Sequence, residues 1–157
     1  MFKVCIISCG MIANAAHIPA YRMFPEDFEI VGVSDVNEDA ARKTASKNEI
    51  SKYYTNAEQM LYELKPDVVS VCVPNCFHKE YSVMALNYGA NVLCEKPMAF
   101  TYNDAIDMFT AAKRNNKFLM TCQSMRYTPD RLAAKKYICE NHINDFYYGE
   151  ISRVRTR

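Results

Sequence analysis

Short apolar runs alternate along the chain with longer stretches whose apolar positions recur every three or four residues. Val4-Cys5-Ile6-Ile7 is the first run and ends at Ser8-Cys9-Gly10; a helical stretch is predicted from about Ile12 to Phe24. Ile30-Val31-Gly32-Val33 follows, closed by Ser34-Asp35, and Asn37 to Asn48 is Ala-rich and charged, which favours helix. Lys52-Tyr53-Tyr54 reads as a brief strand. Thr55 and Glu58 then form a capping box for a helix with Ala57, Met60, Leu61 and Leu64 on its apolar face and Pro66 at its end. Val68 to Val73 is β-branched and nearly unbroken, as suits a strand buried on both faces. The next helix shows Tyr81, Met84, Ala85 and Tyr88 on one side and closes at Gly89. Asn91-Val92-Leu93-Cys94 is a fifth strand. Thr101 caps a helix with Tyr102, Ala105, Ile106, Phe109 and Ala112 facing the core, and Phe118 to Cys122 is a sixth strand.

Strands alternating with helices predict an α/β fold, a doubly wound parallel sheet with helices on both faces. Six strands in this rhythm fit the dinucleotide-binding form of that fold, over residues 1–123. Beyond Gln123 the pattern changes. Pro129 to Asn141 reads as a helix and His142 to Gly149 is irregular. Ile151 to Arg157 alternates apolar and basic positions, which reads as a first strand of a second domain, cut short; the alternative is a frayed basic tail. Residues 124–157 are therefore expected to hold a crossover helix and the start of a truncated C-terminal domain.

Composition narrows the function classes. The chain has 157 residues, 50% of them hydrophobic and 24% charged, which excludes a disordered chain and leaves room for one sizeable core. Nineteen basic residues against eighteen acidic ones give a net charge of +1 and no electrostatic footprint for a nucleic acid. No apolar run approaches the roughly 20 residues that span a bilayer. The start, Met1-Phe2-Lys3-Val4-Cys5-Ile6-Ile7, is too short for a signal peptide and leads straight into a polar turn, so a cytoplasmic location is expected. Seven cysteines, an odd count without a C-x-x-C pair, read as reduced and mostly buried thiols, with neither a disulfide framework nor a structural zinc set.

In an open parallel sheet, ligands bind beyond the carboxyl ends of the strands. The residues there are the candidate chemistry. Ser8, Gly10 and Ala13, with Met11 and Ile12 between, form a degenerate G-x-G-x-x-G after the first strand. Gly10 lets backbone approach a pyrophosphate, and amides at the helix start face the phosphates. Ser8 stands where a glycine is usual and makes the tight turn with a Cβ. Asp35 follows Ala13 by 22 residues. A carboxylate there accepts from both ribose hydroxyls and repels a 2′-phosphate, and no arginine adjoins it; NAD is therefore favoured over NADP. The alternative for Asp35 is a helix cap. Pro74, Asn75 and His78 follow the fourth strand, Glu95-Lys96-Pro97 the fifth, and Gln123 and Arg126 the sixth. Lys96 is the candidate proton donor or polarising group, against the alternative of a Glu95–Lys96 surface pair. His17 reads as a packing residue, and no metal set is expected.

These segments together resemble the glucose–fructose oxidoreductase/inositol dehydrogenase (Gfo/Idh/MocA) family. The residues that carry the resemblance are Cys9-Gly10-Met11-Ile12 with His17, Val73-Pro74-Asn75-Cys76-Phe77-His78, and Gly89 to Pro97 with its Glu95-Lys96-Pro97 segment. Arg126-Tyr127-Thr128-Pro129 and Gly149-Glu150-Ile151 complete the match. The resemblance implies an NAD(P)-dependent oxidoreductase acting on a sugar, an inositol or a related hydroxy or keto compound. It implies that Lys96 lies near nicotinamide and substrate, with Lys96–Pro97 often cis, that Val73, Pro74, Asn75 and His78 line the cofactor, and that Arg126 lies near it. It also implies a second α/β domain that supplies a catalytic histidine, most of the substrate pocket and a homo-oligomer interface. These residues alone are then expected to bind cofactor without turnover. The competing reading is a non-catalytic dinucleotide-binding module, a sensor or interaction domain.

Overall fold

The computed structural model describes residues 1–143, 148 and 150. The expected strand over Ile151 to Arg157 lies outside the described residues. The chain divides into two compact units, Met1–Cys122 and Gln123–Arg157.

The first unit is a parallel sheet of β1 (Phe2–Ile7), β2 (Phe28–Ser34), β3 (Tyr53–Tyr54), β4 (Val68–Val71), β5 (Asn91–Cys94) and β6 (Leu119–Thr121). Their order across the sheet is β3-β2-β1-β4-β5-β6. The order reverses direction between β1 and β4, and at that switch point the loops leaving the two strands diverge and open a crevice. Between the strands lie α1 (Ile18–Arg22), α2 (Glu38–Lys47), α3 (Ala57–Leu64), α4 (His78–Asn87) and α5 (Tyr102–Arg114).

Alternation along the strands builds two cores. Cys5 and Ile7 of β1 face one side with Met60, Leu61, Leu86 and Met108 of α3, α4 and α5. Val4 and Ile6 face the other with Ala13, Ile18, Ala41 and Ala45 of the first two helical segments. Side chains one residue apart on a strand point to opposite faces, so a run apolar at every position demands cover on both.

Several expectations change in detail. The first helix is not uniform: Ala13–His17 forms a π-helical turn that continues into α1. The cap of α3 is Asn56, not Thr55; its extended backbone lets the side-chain oxygen accept from the Gln59 amide at 2.9 Å. The core face of α5 is Met108, Ala111 and Ala112, while Tyr102, Ile106 and Phe109 are exposed. Two alanines let the helix lie close on the sheet, and that close contact, rather than residue size, sets the rotation. On α4 the buried positions are His78, Ser82, Ala85 and Leu86; of the expected face, Tyr81 and Met84 are partly buried and Tyr88 donates to Glu58 at 2.9 Å.

The second unit contains a 3-10 turn, Ser124–Tyr127, and α6 (Pro129–Glu140), with Pro129 at the first turn where its missing N–H is harmless.

Candidate functional site

β1 ends at Ile7, and the chain turns at once. Ser8 has φ +78°, a left-handed conformation unusual for a residue with a Cβ. Its amide donates to the Ser34 carbonyl at 2.7 Å, holding the turn against the end of β2. The Asn14 side-chain amide donates back to the carbonyls of Cys9, at 2.8 Å, and Gly10, at 3.1 Å. Asn14 escaped the sequence reading; its only signal is a polar side chain one helical turn after Gly10. Gly10 is exposed, and a Cβ placed on it would meet only Ser8 Oγ, at an ordinary 3.6 Å. Met11 is exposed and Ile12 half-buried on the same turn.

Asp35 stands beside this turn at the end of β2. Its Oδ2 accepts from the Cys9 amide at 2.8 Å and lies 3.4 Å from Ser8 Oγ, while Oδ1 accepts from the Asn37 amide at 2.9 Å. Oδ2 thus accepts from both Cys9 and, at longer range, the Ser8 hydroxyl, and Oδ1 keeps a further acceptor direction. The cap of α2 is Asn37, whose side chain accepts from Ala40 at 3.1 Å, so the helix-cap alternative for Asp35 falls. A cavity of about 350 Å³ opens here, lined among others by Ser8, Asp35, Val36, Val73, Pro74 and Phe77. Its walls carry one carboxylate and no lysine or arginine. Ser34 also borders it, with a buried hydroxyl that has no partner among the described residues. A larger depression of about 780 Å³ lies on the outer side of α3, α4 and α5, away from the strand ends. It holds none of the residues that follow the strands, and the Asp35 cavity is the better candidate.

Beyond β4, Val73 is half-buried, and Pro74 and Asn75 are exposed at the start of the 3-10 turn Asn75–Phe77. His78 is fully buried. Its Nδ1 lies 2.6 Å from the Pro97 carbonyl oxygen and its Nε2 3.0 Å from that of Val73. The ring therefore clamps the segment after β4 to the segment after β5, and it does not line the cavity.

Beyond β5, Glu95 and Lys96 separate. Glu95 is buried, and its Oε1 lies 3.0 Å from His17 Nε2. Lys96 is exposed, and among the described residues its ammonium forms no ion pair within 4 Å. The surface-pair alternative is thus overturned; burial of one carboxylate against an imidazole leaves the lysine free toward solvent. The Lys96 amide donates to Glu95 Oε2 at 3.1 Å, and the Lys96–Pro97 bond is cis. Burial pushes the Glu95 carboxyl up, but hydrogen bonds from His17, the Lys96 amide and Cys122 hold it below the ordinary carboxylate range. His17 is buried with both ring nitrogens partnered, as a satisfied packing residue: its Nδ1 lies 3.2 Å from Ser70 Oγ, which in turn lies 2.9 Å from the Tyr21 hydroxyl.

The parallel sheet therefore brings Ser8, Gly10, Asp35, Val73, Pro74, Glu95 and Lys96 to one edge, past the ends of β2, β1, β4 and β5. Gln123 and Arg126 belong to the second unit, where the Arg126 amide donates to the Gln123 carbonyl at 2.9 Å.

Comparison with known proteins agrees with this geometry. A family described as oxidoreductases with an NAD-binding Rossmann fold, the Gfo/Idh/MocA family, matches residues 2–123. The chain is 34% identical over 153 residues to the D-glucoside 3-dehydrogenase of Escherichia coli (strain K12), covering 98% of this chain and 43% of that protein. It is 31% identical over 113 residues to the scyllo-inositol 2-dehydrogenase (NADP(+)) IolU of Bacillus subtilis (strain 168), covering 72% of this chain and 34% of that protein. A levoglucosan dehydrogenase solved with NADH and L-sorbose superposes with a TM-score of 0.82 at 26% identity, over 90% of this chain and 39% of that one. The chain spans less than half the length of these relatives. A match over residues 2–123, on a six-stranded parallel sheet, makes the chain a member of the Gfo/Idh/MocA oxidoreductase family, carrying that family's NAD-binding Rossmann fold.

Proposed function

We propose that this chain is the cofactor half of an NAD-dependent oxidoreductase that interconverts an alcohol and a carbonyl on a sugar, an inositol or a related polyol. The observation that carries the reading is the Asp35 carboxylate, braced on the Cys9 amide beside the Ser8–Gly10 turn and bordering a cavity without a basic residue. Asp35 would accept from the ribose hydroxyls through the lone pair that Asn37 leaves open on Oδ1 and, where the weakly held Ser8 hydroxyl turns aside, through Oδ2. The open outer side of Gly10 would admit a pyrophosphate to the start of the helical segment that follows. The bound nicotinamide supplies the acceptor for hydride. Lys96, exposed beyond β5 and anchored through its own amide to Glu95, would hold a proton at Nζ for the reacting oxygen. His78 supports the site from behind by keeping the segments after β4 and β5 together.

The relatives' names support the substrate class: one acts on D-glucosides and another on scyllo-inositol. That second relative is named for NADP(+), so cofactor choice varies within the family and rests here on Asp35. Titration of NADH and NADPH into the chain tests the reading. NADH is expected to bind more tightly by on the order of 1–3 kcal/mol, because a 2′-phosphate meets a carboxylate and the ribose hydrogen bonds are lost. Asp35→Ser should narrow that gap. Equal or tighter binding of NADPH to the unaltered chain would overturn the preference, and no binding of either would overturn the reading. In an assay of NADH formation with inositols, hexoses and sugar acids, these 157 residues alone are expected to give no turnover. Lys96 is exposed, and hydride transfer needs a closed site that excludes water. Turnover that Lys96→Ala abolishes would reverse this expectation.

A further inference from the structure

We propose that His17, Glu95 and Cys122 form a binding site for a zinc-class divalent cation. The three residues come from the π-helical turn, the end of β5 and the end of β6, and nothing in their sequence spacing suggests a set. The fold makes one. Cys122 follows Thr121, which pairs with Cys94, so Glu95 and Cys122 leave neighbouring strands side by side. His17 enters from the helix above, with Nε2 3.0 Å from Glu95 Oε1. One ligand atom from each residue lies within 4.8 Å of the other two. In a tetrahedral site with bonds of about 2.0–2.3 Å, ligand atoms stand about 3.3–3.7 Å apart. The triad is thus within about 1 Å of that spacing, and Cys122, partly exposed, has room to close it.

The surroundings of the triad strengthen the assignment. A metal-binding imidazole is oriented by a hydrogen bond at its other nitrogen. His17 Nδ1 has such a partner in Ser70 Oγ at 3.2 Å, to which its N–H would donate when Nε2 holds the cation, and Ser70 Oγ lies 2.9 Å from the Tyr21 hydroxyl. The second carboxylate oxygen of Glu95 is fixed by the Lys96 amide at 3.1 Å. Each buried ligand therefore has its outward atom tied and its remaining atom turned to a common point. Without metal, the His17 Nε2–Glu95 Oε1 contact and the Cys122 hydrogen bond to Glu95 close that point. A bound cation would displace the Cys122 thiol proton to solvent. Nitrogen, oxygen and sulfur in one set suit zinc; calcium and magnesium want more oxygens and no thiolate. Three protein ligands leave a fourth position for water or an incoming oxygen on the side where Cys122 is partly exposed. Occupancy would link the first helix to the ends of β5 and β6, immediately behind Lys96. This assignment does not depend on the proposed cofactor reading.

The test uses the tag-free chain with Cys76→Ser and Cys139→Ser, which removes the two exposed thiols. Co(II) serves as the spectroscopic probe, and Zn(II) affinity is measured by competition with a chromophoric chelator. One equivalent of Co(II) is expected to give tetrahedral visible bands with a thiolate-to-cobalt charge-transfer band, and Zn(II) to raise the thermal midpoint. Cys122→Ser should remove the charge-transfer band and weaken Zn(II) binding at least tenfold. His17→Gln should weaken Zn(II) binding at least tenfold, and should Gln at this buried position prevent folding, Cys122→Ser at the partly exposed position decides alone. A charge-transfer band that survives Cys122→Ser, binding that does not saturate at one equivalent, or no band in the folded chain would each overturn the proposal.

Discussion

Ser8 holds a left-handed turn that costs an L-residue roughly 1–2 kcal/mol and a glycine almost nothing. Its hydroxyl, at 3.4 Å from Asp35, returns little. Ser8→Gly is therefore expected to stabilise the chain by about 1 kcal/mol and to leave NADH binding unchanged or tighter. Thermal unfolding and NADH titration read both quantities. A clear loss of affinity would show that the hydroxyl, through Asp35, has a part in binding. Ser8, Gly10 and Asp35 were all legible because each follows a strand at a position where one residue type has a physical advantage. Asn14 and the His17–Glu95 contact were not: His17 and Glu95 lie 78 residues apart, and only the tertiary fold, which sets His17 against both Ser70 of β4 and Glu95 beyond β5, brings them together.

Element ends obey local rules and were misread by a single residue where two cap formers adjoin. Thr55 and Asn56 both suit the start of α3, and only the backbone decides which has the extended conformation; it is Asn56. Asn56→Ala should destabilise by about 1 kcal/mol, while Thr55→Ala should stay within about 0.5 kcal/mol, as denaturant unfolding of the two variants will read. Equal losses would restore Thr55 to the cap. The face of α5 was misread for a different reason. Helical spacing identified a helix, but Tyr102, Ile106 and Phe109 and the set Met108, Ala111 and Ala112 fit adjoining stripes of it, and spacing alone does not say which stripe meets the core. Close approach through Ala111 and Ala112 buries Met108 completely and leaves Phe109 at 56% exposure.

For the molecule as a whole, burial governs thiol reactivity. Cys5 is pushed up to about 12 and Cys9 and Cys94 to about 11, all by burial first, and Cys72 is raised further by burial and the neighbouring Glu95. The thiolate is the reactive form, so these four should resist iodoacetamide at pH 8 in the folded chain. Exposed Cys76 and Cys139 should react first. Peptide mass spectrometry with and without denaturant checks this; early labelling of Cys5 or Cys72 in native conditions would contradict the core described above. Among the described residues no helix is long and apolar enough to cross a membrane, in keeping with the absence of a long apolar run in the sequence.

The sequence by itself determined the alternation of strands and helices, the parallel sheet that alternation requires, and the strand-end positions of Ser8, Gly10, Asp35 and Lys96. These follow from periodicity, turn chemistry and strand ends, which act over a few residues. Tertiary structure alone decided that His78 clamps two backbone segments, that Glu95 turns inward to His17 while Lys96 stays free, and that Cys122 joins them. Those outcomes depend on which strands become neighbours and how a helix crosses them. Such contacts between residues distant in the chain leave no periodic trace, and the energy of burying polar groups is settled only once all their partners are in place.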